Sequence, residues 1–582
     1  MTSRILFLTC MLFGIQLFAA DKPNVIVILA DDQGWGDLSM NGNKDLSTPN
    51  IDSIAKDGAR FEYFYVSPVC SPTRAEFLTG RYNARSSIYS TSAGGERMDL
   101  DEKTIADTFK AAGYATAAFG KWHNGMQFPY HPNARGFQEY YGFCSGHWGH
   151  YFSPMLEHNN KIVKGNGYIT DDLTNRAMDF IEANKGKAFF VYLPYCTPHS
   201  PMQVPDKYWD KHKDNELLMA HQGPETHTRS ALAMCENIDD NVGRLLKKLD
   251  DLKLSDNTIV LYFSDNGPNG HRWNKGLKGV KGSIDEGGVL SPLVMRWPGI
   301  IKKGTVVEPI CGSIDLLPTL ADFCGIPLLE NKPLDGISMK QAIVSEAANW
   351  PDRHILTQWK SRSSIRNQQY RMDDEGNLYD IHKDPQQKVD LSKELPDVRK
   401  AMMAQLKSML ADVNEGAIKS PDADDRPFII THPDSEFSQI PARDASYTKG
   451  IKRSNQFPNC SYLMNWTSID DYIYWDAEVA AAGEYDATVY YTCLEGDTGA
   501  ELELSFGKAK KTAMVTEIND PAIIGAEEDR HKRVESYVKD FKPLSLGIIK
   551  LERGIGRLKL RALSKPGNSI IEFRLLTLKR IK

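Results

Sequence analysis

The sequence predicts an α/β protein: a large, mostly parallel sheet sandwiched by helices, then a small α+β subdomain and an extra β-sandwich. Three observations carry this. Asn24–Ala30, Ala188–Pro194 and Thr258–Ser264 are short apolar runs without polar alternation, as in strands buried on both faces. Segments with helical start signals and helical periodicity separate those runs. After about residue 430 the pattern changes to apolar–polar alternation broken by turn residues, as in an antiparallel sandwich. At 582 residues the chain is also too long for one core, which requires more than one domain.

The chain opens with Arg4 and an almost uncharged apolar run, Ile5–Ala20. That run is too short for a bilayer core, which needs about 20 apolar residues, so residues 1–20 read as a secretory signal peptide. An exported protein, periplasmic or secreted, is expected, and no later stretch is apolar enough for a transmembrane segment. Residues 21–325 form the α/β domain. In it Thr48-Pro49 opens a helix that Gly58 closes, and Thr170-Asp171-Asp172 opens another. Arg229–Leu252 carries Ala233, Ile238, Val242, Leu245, Leu246 and Leu249 on one helical face. Residues 326–415 read as the α+β subdomain, with short strands over Arg353–Tyr379 and an amphipathic helix over Pro396–Val413. A polar linker follows at 416–429. The β-sandwich takes 430–582, with strands at Asp470–Trp475, Gly483–Thr492, Ala500–Phe506, Arg557–Arg561 and Ser569–Leu578.

Seventy basic residues against 76 acidic ones leave a net charge of −6, near balance, so nothing asks for a nucleic-acid partner. Nine cysteines are too sparse for a disulfide-framed fold, and Cys10 leaves with the signal peptide. Cys311–Cys324 and Cys460–Cys493 are spaced compatibly with bridges, although spacing alone does not establish either.

In open α/β sheets, sites form beyond the carboxyl ends of strands. Three predicted strands run into Asp31-Asp32, Thr197-Pro198-His199 and Asp265-Asn266-Gly267. Hard cations such as calcium take carboxylate and amide oxygens, which makes the two acidic pairs candidate ligands of one ion. Each pair alone is more often a turn or cap; their common place at strand ends favours the metal. In Cys70-Ser71-Pro72-Thr73-Arg74, Pro72 sits where a helix would start, so Cys70 falls near its positive end, with Arg74 one turn on and Leu78-Thr79-Gly80 beyond. By itself such a cysteine is a small buried residue or a thiolate nucleophile.

That stretch also resembles the C-x-P-x-R signature of the type I sulfatases, members of the alkaline phosphatase superfamily, whose cysteine is oxidised to formylglycine (3-oxoalanine). Gly113-Tyr114-x-Thr116-x-x-x-Gly120-Lys121-x-His123 resembles the family's second signature. Lys281-Gly282 with Glu286-Gly287-Gly288-Val289 resembles its lysine segment, and Ser313–Thr319 and Leu378-Tyr379-Asp380 its later motifs. The resemblance spans residues 22–415 and is of the arylsulfatase and N-acetylgalactosamine-6-sulfatase kind. It implies a sulfuric ester hydrolase acting on sulfated glycans, with one calcium ion on Asp31, Asp32, Asp265, Asn266 and an oxygen of modified Cys70. It places Arg74 and Lys121 on the formylglycine hydrate and the sulfate, and His123 on the hydrate as base. His199 and Lys281 fall at the sulfate or leaving oxygen, and a formylglycine-generating maturase is the implied transient partner. One further polar contact of the family has no clean match; Ser145 and His147 both qualify. The chemistry suits these residue types, because an anionic ester needs cations before a nucleophile can approach it, and an aldehyde hydrate can expel its own sulfate.

His147 and Trp148, and His271-Arg272-Trp273 after the second acidic pair, are candidate substrate contacts, since aromatic faces stack on sugars and basic groups bind further anions. The tryptophans serve equally well as packing residues. Trp466, Trp475 and several tyrosines give 430–582 a likeness to jelly-roll carbohydrate-binding modules, with the sandwich core as their alternative use. On that likeness the β-sandwich attaches glycan and takes no part in the chemistry. Competing functions are phosphonate or phosphate monoester hydrolysis on the same fold, and glycan binding by an inactive catalytic fold.

Overall fold

The computed structural model describes residues 22–219, 223–329, 332–345 and 350–581. The segment read as a signal peptide, with Cys10, lies outside the described residues. Strand β1 (Asn24–Ala30) is buried along its whole length. Val25, Val27 and Leu29 feed the core on one face, and Ile26, Ile28 and Ala30 the core on the other. Burial on both faces is why the run shows no polar alternation.

The remaining strands of this sheet are β2 (Ala59–Tyr65), β3 (Ala115–Lys121), β4 (Glu139–Phe143), β5 (Met155–His158), β6 (Lys161–Lys164), β7 (Phe189–Pro194), β8 (Thr258–Ser264), β9 (Leu290–Arg296), β10 (Thr305–Val307) and β11 (Cys311–Gly312). Their order is β10-β2-β9-β8-β1-β7-β3-β4-β5-β6, with β11 beside β2. The central pairs β8-β1, β1-β7, β7-β3 and β3-β4 are parallel. Strand β9 runs antiparallel to both of its neighbours, and β5 and β6 form an antiparallel edge. Helices α1 (Pro49–Lys56), α2 (Cys70–Thr79), α3 (Ile105–Ala111), α4 (Ile169–Ala183), α5 (Asp206–His212) and α6 (Glu225–Asp251) cover both faces. Residues of α2, α3 and the helix Leu316–Phe323 pack on one side, and those of α1, α4, α5 and α6 on the other.

Two helix starts differ from the sequence expectation. Helix α6 begins at Glu225, ahead of Arg229, because its first turn is polar and carries no hydrophobic period. Helix α2 begins at Cys70 itself, with Pro72 inside its first turn, where a missing N–H costs nothing.

A four-stranded antiparallel sheet follows, Ile355–Trp359, Arg362–Arg366, Tyr370–Asp373 and Leu378–Asp380. The helix Pro396–Val413 seals it through Met402, Leu406 and Val413. Two six-stranded sheets then enclose one core to form the β-sandwich. Trp466 and Trp475 are each 1% exposed and belong to that core, so neither offers a face to a glycan.

Neither suggested disulfide forms. Cys311, Cys324, Cys460 and Cys493 are free thiols, as are all the described cysteines. Cys311 donates toward the Tyr63 carbonyl (3.5 Å) and Cys460 to the His147 carbonyl (3.1 Å). The segment at 416–429 is pinned to the catalytic unit: Arg426 bonds Asp99 (2.8 Å) and the Arg97 carbonyl (3.0 Å), and Arg97 pairs with Asp424 (3.3 Å). Among the described residues no helix is long and apolar enough to cross a membrane.

Candidate active site

Strands β1 and β8 pair in register through Ala30 and Ser264, so Asp31-Asp32 and Asp265-Asn266 leave the sheet side by side. The Asp32 amide donates to Asp265 Oδ1 (3.2 Å), and Asn266 Nδ2 donates to Asp32 Oδ1 (2.8 Å). From β7 the chain returns to β1, where the Asp31 amide donates to the Thr197 carbonyl (3.1 Å). Strand β3 delivers Lys121, whose Nζ lies 2.6 Å from Asp31 Oδ2. The preceding Gly120 has φ +140°, and a Cβ there would stand 1.9 Å from the Pro194 carbonyl oxygen. Only glycine lets β3 and β7 approach this closely at the site.

Helix α2 supplies Cys70 and Arg74. The Arg74 guanidinium bonds Asp265 Oδ2 through Nη2 (2.8 Å) and Nε (3.1 Å), and the Lys121 carbonyl through Nη1 (2.7 Å). Behind Cys70, Asn124 Nδ2 donates to the Ser71 carbonyl (3.2 Å). Lys281 Nζ sits 2.7 and 2.9 Å from the two Asp32 oxygens, and His199 Nε2 is 3.6 Å from Asp32 Oδ2. His199 Nδ1 lies 2.8 Å from the Ser200 carbonyl, and the His147 ring stacks on the His199 ring at 5.7 Å. His123 Nε2 lies 2.8 Å from the Thr91 carbonyl, which leaves Nδ1 buried with no protein partner. Asp32 (φ 67°) and His123 (φ 68°) both hold the left-handed backbone conformation. For residues other than glycine this stores strain, and such strain gathers at functional sites.

The residues fit a hard cation. Ligand atoms of Asp31, Cys70 and Asp265 lie within 4.8 Å of one another, all three buried. Asp31 Oδ1 and Asn266 Oδ1 are buried without a hydrogen-bond partner, which is costly for such oxygens unless something else binds them. A donor set of carboxylate and amide oxygens suits calcium or magnesium better than a soft metal. The Cys70 thiol is the third member of that cluster.

Burial raises Asp265 to about 6, helped by the Asp31 charge and opposed by Arg74. Burial would raise Asp32 too, but Lys281, His199 and Lys121 outweigh it and hold that carboxyl far below the usual range. Burial opposes the charge on Lys281, and Asp32 more than restores it. Burial and the Lys281 charge bring His199 down to about 4, and burial and Lys121 depress His123. Burial raises the Cys70 thiol, so it is a poor thiolate as it stands.

The candidate substrate contacts separate. His147 lies inside the cluster, against His199. Trp148 stacks on Phe143 (5.0 Å) and lines a cavity of about 610 Å³ between the catalytic unit and the β-sandwich, with Tyr490, Val538 and Phe541. Arg272 is buried and committed: Nε bonds both oxygens of Asp37 (2.8 Å each) and Nη2 the Asp32 carbonyl (2.7 Å). It therefore braces the Asp32 backbone and has no guanidinium face for a substrate anion. Trp273 is half-buried over Gly42, and His271 is exposed. Ser145 Oγ donates to the Asn459 carbonyl (3.1 Å), which makes it a link to the β-sandwich.

That link is what sequence reasoning missed. Asn459 Oδ1 accepts from the Gly146 amide (3.1 Å) and from Arg443 Nη1 (3.1 Å), and Arg443 pairs with buried Glu96 (3.0 Å). Gly146 cannot be larger, because a Cβ would meet His123 Nε2 at 2.4 Å and Asn459 Nδ2 at 2.5 Å. The β-sandwich thus sets the loop that carries His147. Single polar residues in loops of a distant domain form no motif, and only the buried Arg–Glu pairing gives them away.

A helix-covered, largely parallel sheet with carboxylates, a cysteine and three cations at its carboxyl edge suits the hydrolysis of an anionic ester. Residues 23–326 match the family model Sulfatase, and residues 281–415 match N-sulphoglucosamine sulphohydrolase, C-terminal; the chain belongs to the sulfatase family. N-acetylgalactosamine-6-sulfatase of Mus musculus is 31% identical over 359 residues, 55% of this chain and 66% of the relative, so the chain spans just under two thirds of that relative's length. The solved structure of Ps i-CgsB in complex with k-i-k-neocarrahexaose is 32% identical with a TM-score of 0.63, covering 69% of this chain and 96% of that one. Phosphonate monoester hydrolase of Agrobacterium radiobacter shares the fold at 19% identity and a TM-score of 0.53, over 67% of this chain and 96% of its own.

Proposed function

We propose that the protein is an exported sulfatase that releases inorganic sulfate from O-sulfated glycans. The observation that carries this is the buried cluster of Cys70, Asp31 and Asp265 with Arg74, Lys121 and Lys281 around it, in a chain of the sulfatase family. Relatives named for N-acetylgalactosamine 6-sulfate, and one solved with a neocarrahexaose, support a sugar sulfate as substrate. Export rests on the apolar leader.

One divalent ion, calcium by donor chemistry, would be held by Asp31, Asp32, Asp265, Asn266 and residue 70, and would supply positive charge for a reacting oxygen. Residue 70 would serve as formylglycine made from Cys70 by a maturase, supplying an oxygen nucleophile and a second hydroxyl that allows sulfate to leave. The chain's other residues follow from their bonds. Arg74 is locked to Asp265 and the Lys121 carbonyl, so it fixes the ligand frame. Lys121 and Lys281 place positive charge on the two sides of the carboxylates, where an anionic ester has to settle. His123 spends Nε2–H on the Thr91 carbonyl, so Nδ1 carries the lone pair and acts as base toward the hydroxyl of residue 70. His199 spends Nδ1–H on the Ser200 carbonyl, which leaves Nε2 as an acceptor in the neutral ring, so the proton for the departing alcohol comes from Lys281, whose charge Asp32 maintains.

The test joins a mass measurement on the peptide containing residue 70 with sulfate release from a sulfated glycan. An oxidised residue 70, sulfate release, and a dead Cys70→Ala variant are expected. Full turnover by protein whose residue 70 is a free thiol would defeat the proposal.

A further inference from the structure

The cavity of about 610 Å³ between the catalytic unit and the β-sandwich falls within the roughly 300–1,000 Å³ usual for ligand pockets. It is distinct from the catalytic cluster. Phe143, Cys144, Ser145 and Trp148 line it, whereas none of the five ion ligands and none of Arg74, Lys121 and Lys281 does. Another wall comes from two strands of the β-sandwich, Gly483–Thr492 and Glu572–Arg580. They pair antiparallel, but the register slips: Tyr490 faces Leu575 and Tyr491 faces Phe573, so Arg574 is the extra residue of a bulge. Phe573, Leu576 and Leu578 stay in the sandwich core. A bulge re-aims side chains, and here Arg574 and Leu575 both turn out of that core and line the cavity.

Arg574 has no counter-ion. Among the described residues no carboxylate pairs with it; Nη1 donates to the Ser461 carbonyl (2.7 Å), which leaves the donors on Nε and Nη2 unused. Burial pulls its ionisation down, and no carboxylate opposes that shift. The other charged groups of the lining are committed or lie outside. Lys539 pairs with Glu572 (2.7 Å), and Glu157 bonds His131 (2.6 Å) and Gln439 (2.9 Å). Lys164 and Asp540 are exposed, and burial favours the neutral form of His150. A guanidinium with unused donors in a planar fork suits a carboxylate or sulfate group. Half-buried Trp148, Tyr490 and Phe541 add aromatic surface against which a ring can lie.

We propose that this cavity is a binding site for a small organic anion, held by its carboxylate or sulfate on Arg574 and by a ring against Trp148 and Tyr490. A charged sugar and an aromatic acid both offer that chemistry. The site is separate from the one at residue 70, and the inference stands independently of the sulfatase reading.

Calorimetric titration of the full chain tests this with D-galacturonate and 2-naphthoate, and with their uncharged counterparts D-galactose and 2-naphthamide. At least one acid should bind wild type at one site, with its uncharged counterpart at least tenfold weaker; which acid binds separates a sugar ligand from an aromatic one. Arg574→Gln should weaken that acid at least tenfold, the scale of a lost charge-assisted contact, while Lys281→Ala leaves it bound as before. Glutamine can keep the Ser461 bond and removes a charge that has no counter-ion, so the urea midpoint should not fall. Should it fall, Met155→Trp decides instead, because Met155 lines the cavity from an exposed position and a larger ring there obstructs it. Binding of neither acid overturns the inference. So does an uncharged counterpart that binds equally well, affinity that survives Arg574→Gln in folded protein, or affinity that is lost with Lys281→Ala, which would place the anion in the catalytic cluster.

Discussion

Replacing Asn459 by alanine tests whether the β-sandwich builds the active site or merely adjoins it. The side chain accepts the Gly146 amide and Arg443 Nη1, and donates to the Thr91 carbonyl (3.4 Å) that also holds His123. Alanine leaves the buried Gly146 N–H unpaired, at a cost of about 1–3 kcal/mol, and removes a bond to a charged donor of similar worth. Arg443 keeps Glu96 and Asp444, and water entering the gap recovers part of the rest. A net loss of about 2–3 kcal/mol is expected in urea unfolding. The larger effect falls on catalysis. With Gly146 packed against His123, a drift of the 144–147 loop by about 1 Å misplaces the base, and misplacement on that scale costs roughly 100-fold. Initial rates on 4-nitrophenyl sulfate should therefore fall by 10- to 100-fold, although the substitution lies in another domain. A variant with stability within about 0.5 kcal/mol of wild type and normal kcat would refute this, and would restore a purely attaching role to the β-sandwich.

Two further outcomes follow from buried groups. Glu76, on the same helix as Cys70, is raised from 4.5 to about 7 by burial, against hydrogen bonds from Ser313, Ser67 and the Asn83 amide. A carboxyl raised on folding favours the native state at low pH and loses that preference as pH climbs from 4.5 through 7, so wild type should lose about 2–3 kcal/mol more than Glu76→Gln between pH 5 and pH 8. Equal urea midpoint shifts in both proteins would show that Glu76 does not titrate in this range. Trp475→Ala should cost about 3–5 kcal/mol, because the ring is buried against Phe573 (5.7 Å), while retention of the folded fraction on sulfated polysaccharide stays unchanged. Loss of retention at full stability would return the ring to a glycan-binding role.

What the sequence made legible follows from how residues advertise their surroundings. Strands β1, β7 and β8 show themselves because a strand buried on both faces has no reason to alternate, and their polar ends mark where a site forms. The antiparallel course of β9 could not be read in the same way, since an apolar run does not encode its direction. The strand Lys542–Leu551 begins with Lys542 and Pro543 and was missed, because its exposed edge conceals the buried period of Leu546, Ile549 and Leu551. Within the site, motif residues such as Arg74 and Lys121 could be named in advance, but how they interlock could not. Arg272 looked like a free cation beside an aromatic, and only the fold shows that Asp37 had already claimed it. Asn459 and Arg443 belong to no pattern at all; they matter because a second domain folds back onto the first.

One feature of helix α2 governs the order of events in the life of the molecule. All ten of its residues are buried, and Cys70 at its start is only 3% exposed. On the proposed reading, an enzyme that oxidises this side chain has to reach it, and the folded protein leaves it almost no exposure. Chemistry at residue 70 and closure of the core are therefore competitors in time, with folding as the step that shuts the window. A copy that folds first keeps its thiol sealed in, its reactivity lowered further by the burial that raises its ionisation. On the proposed reading, the same close packing that positions the side chain makes its oxidation a step that has to precede folding.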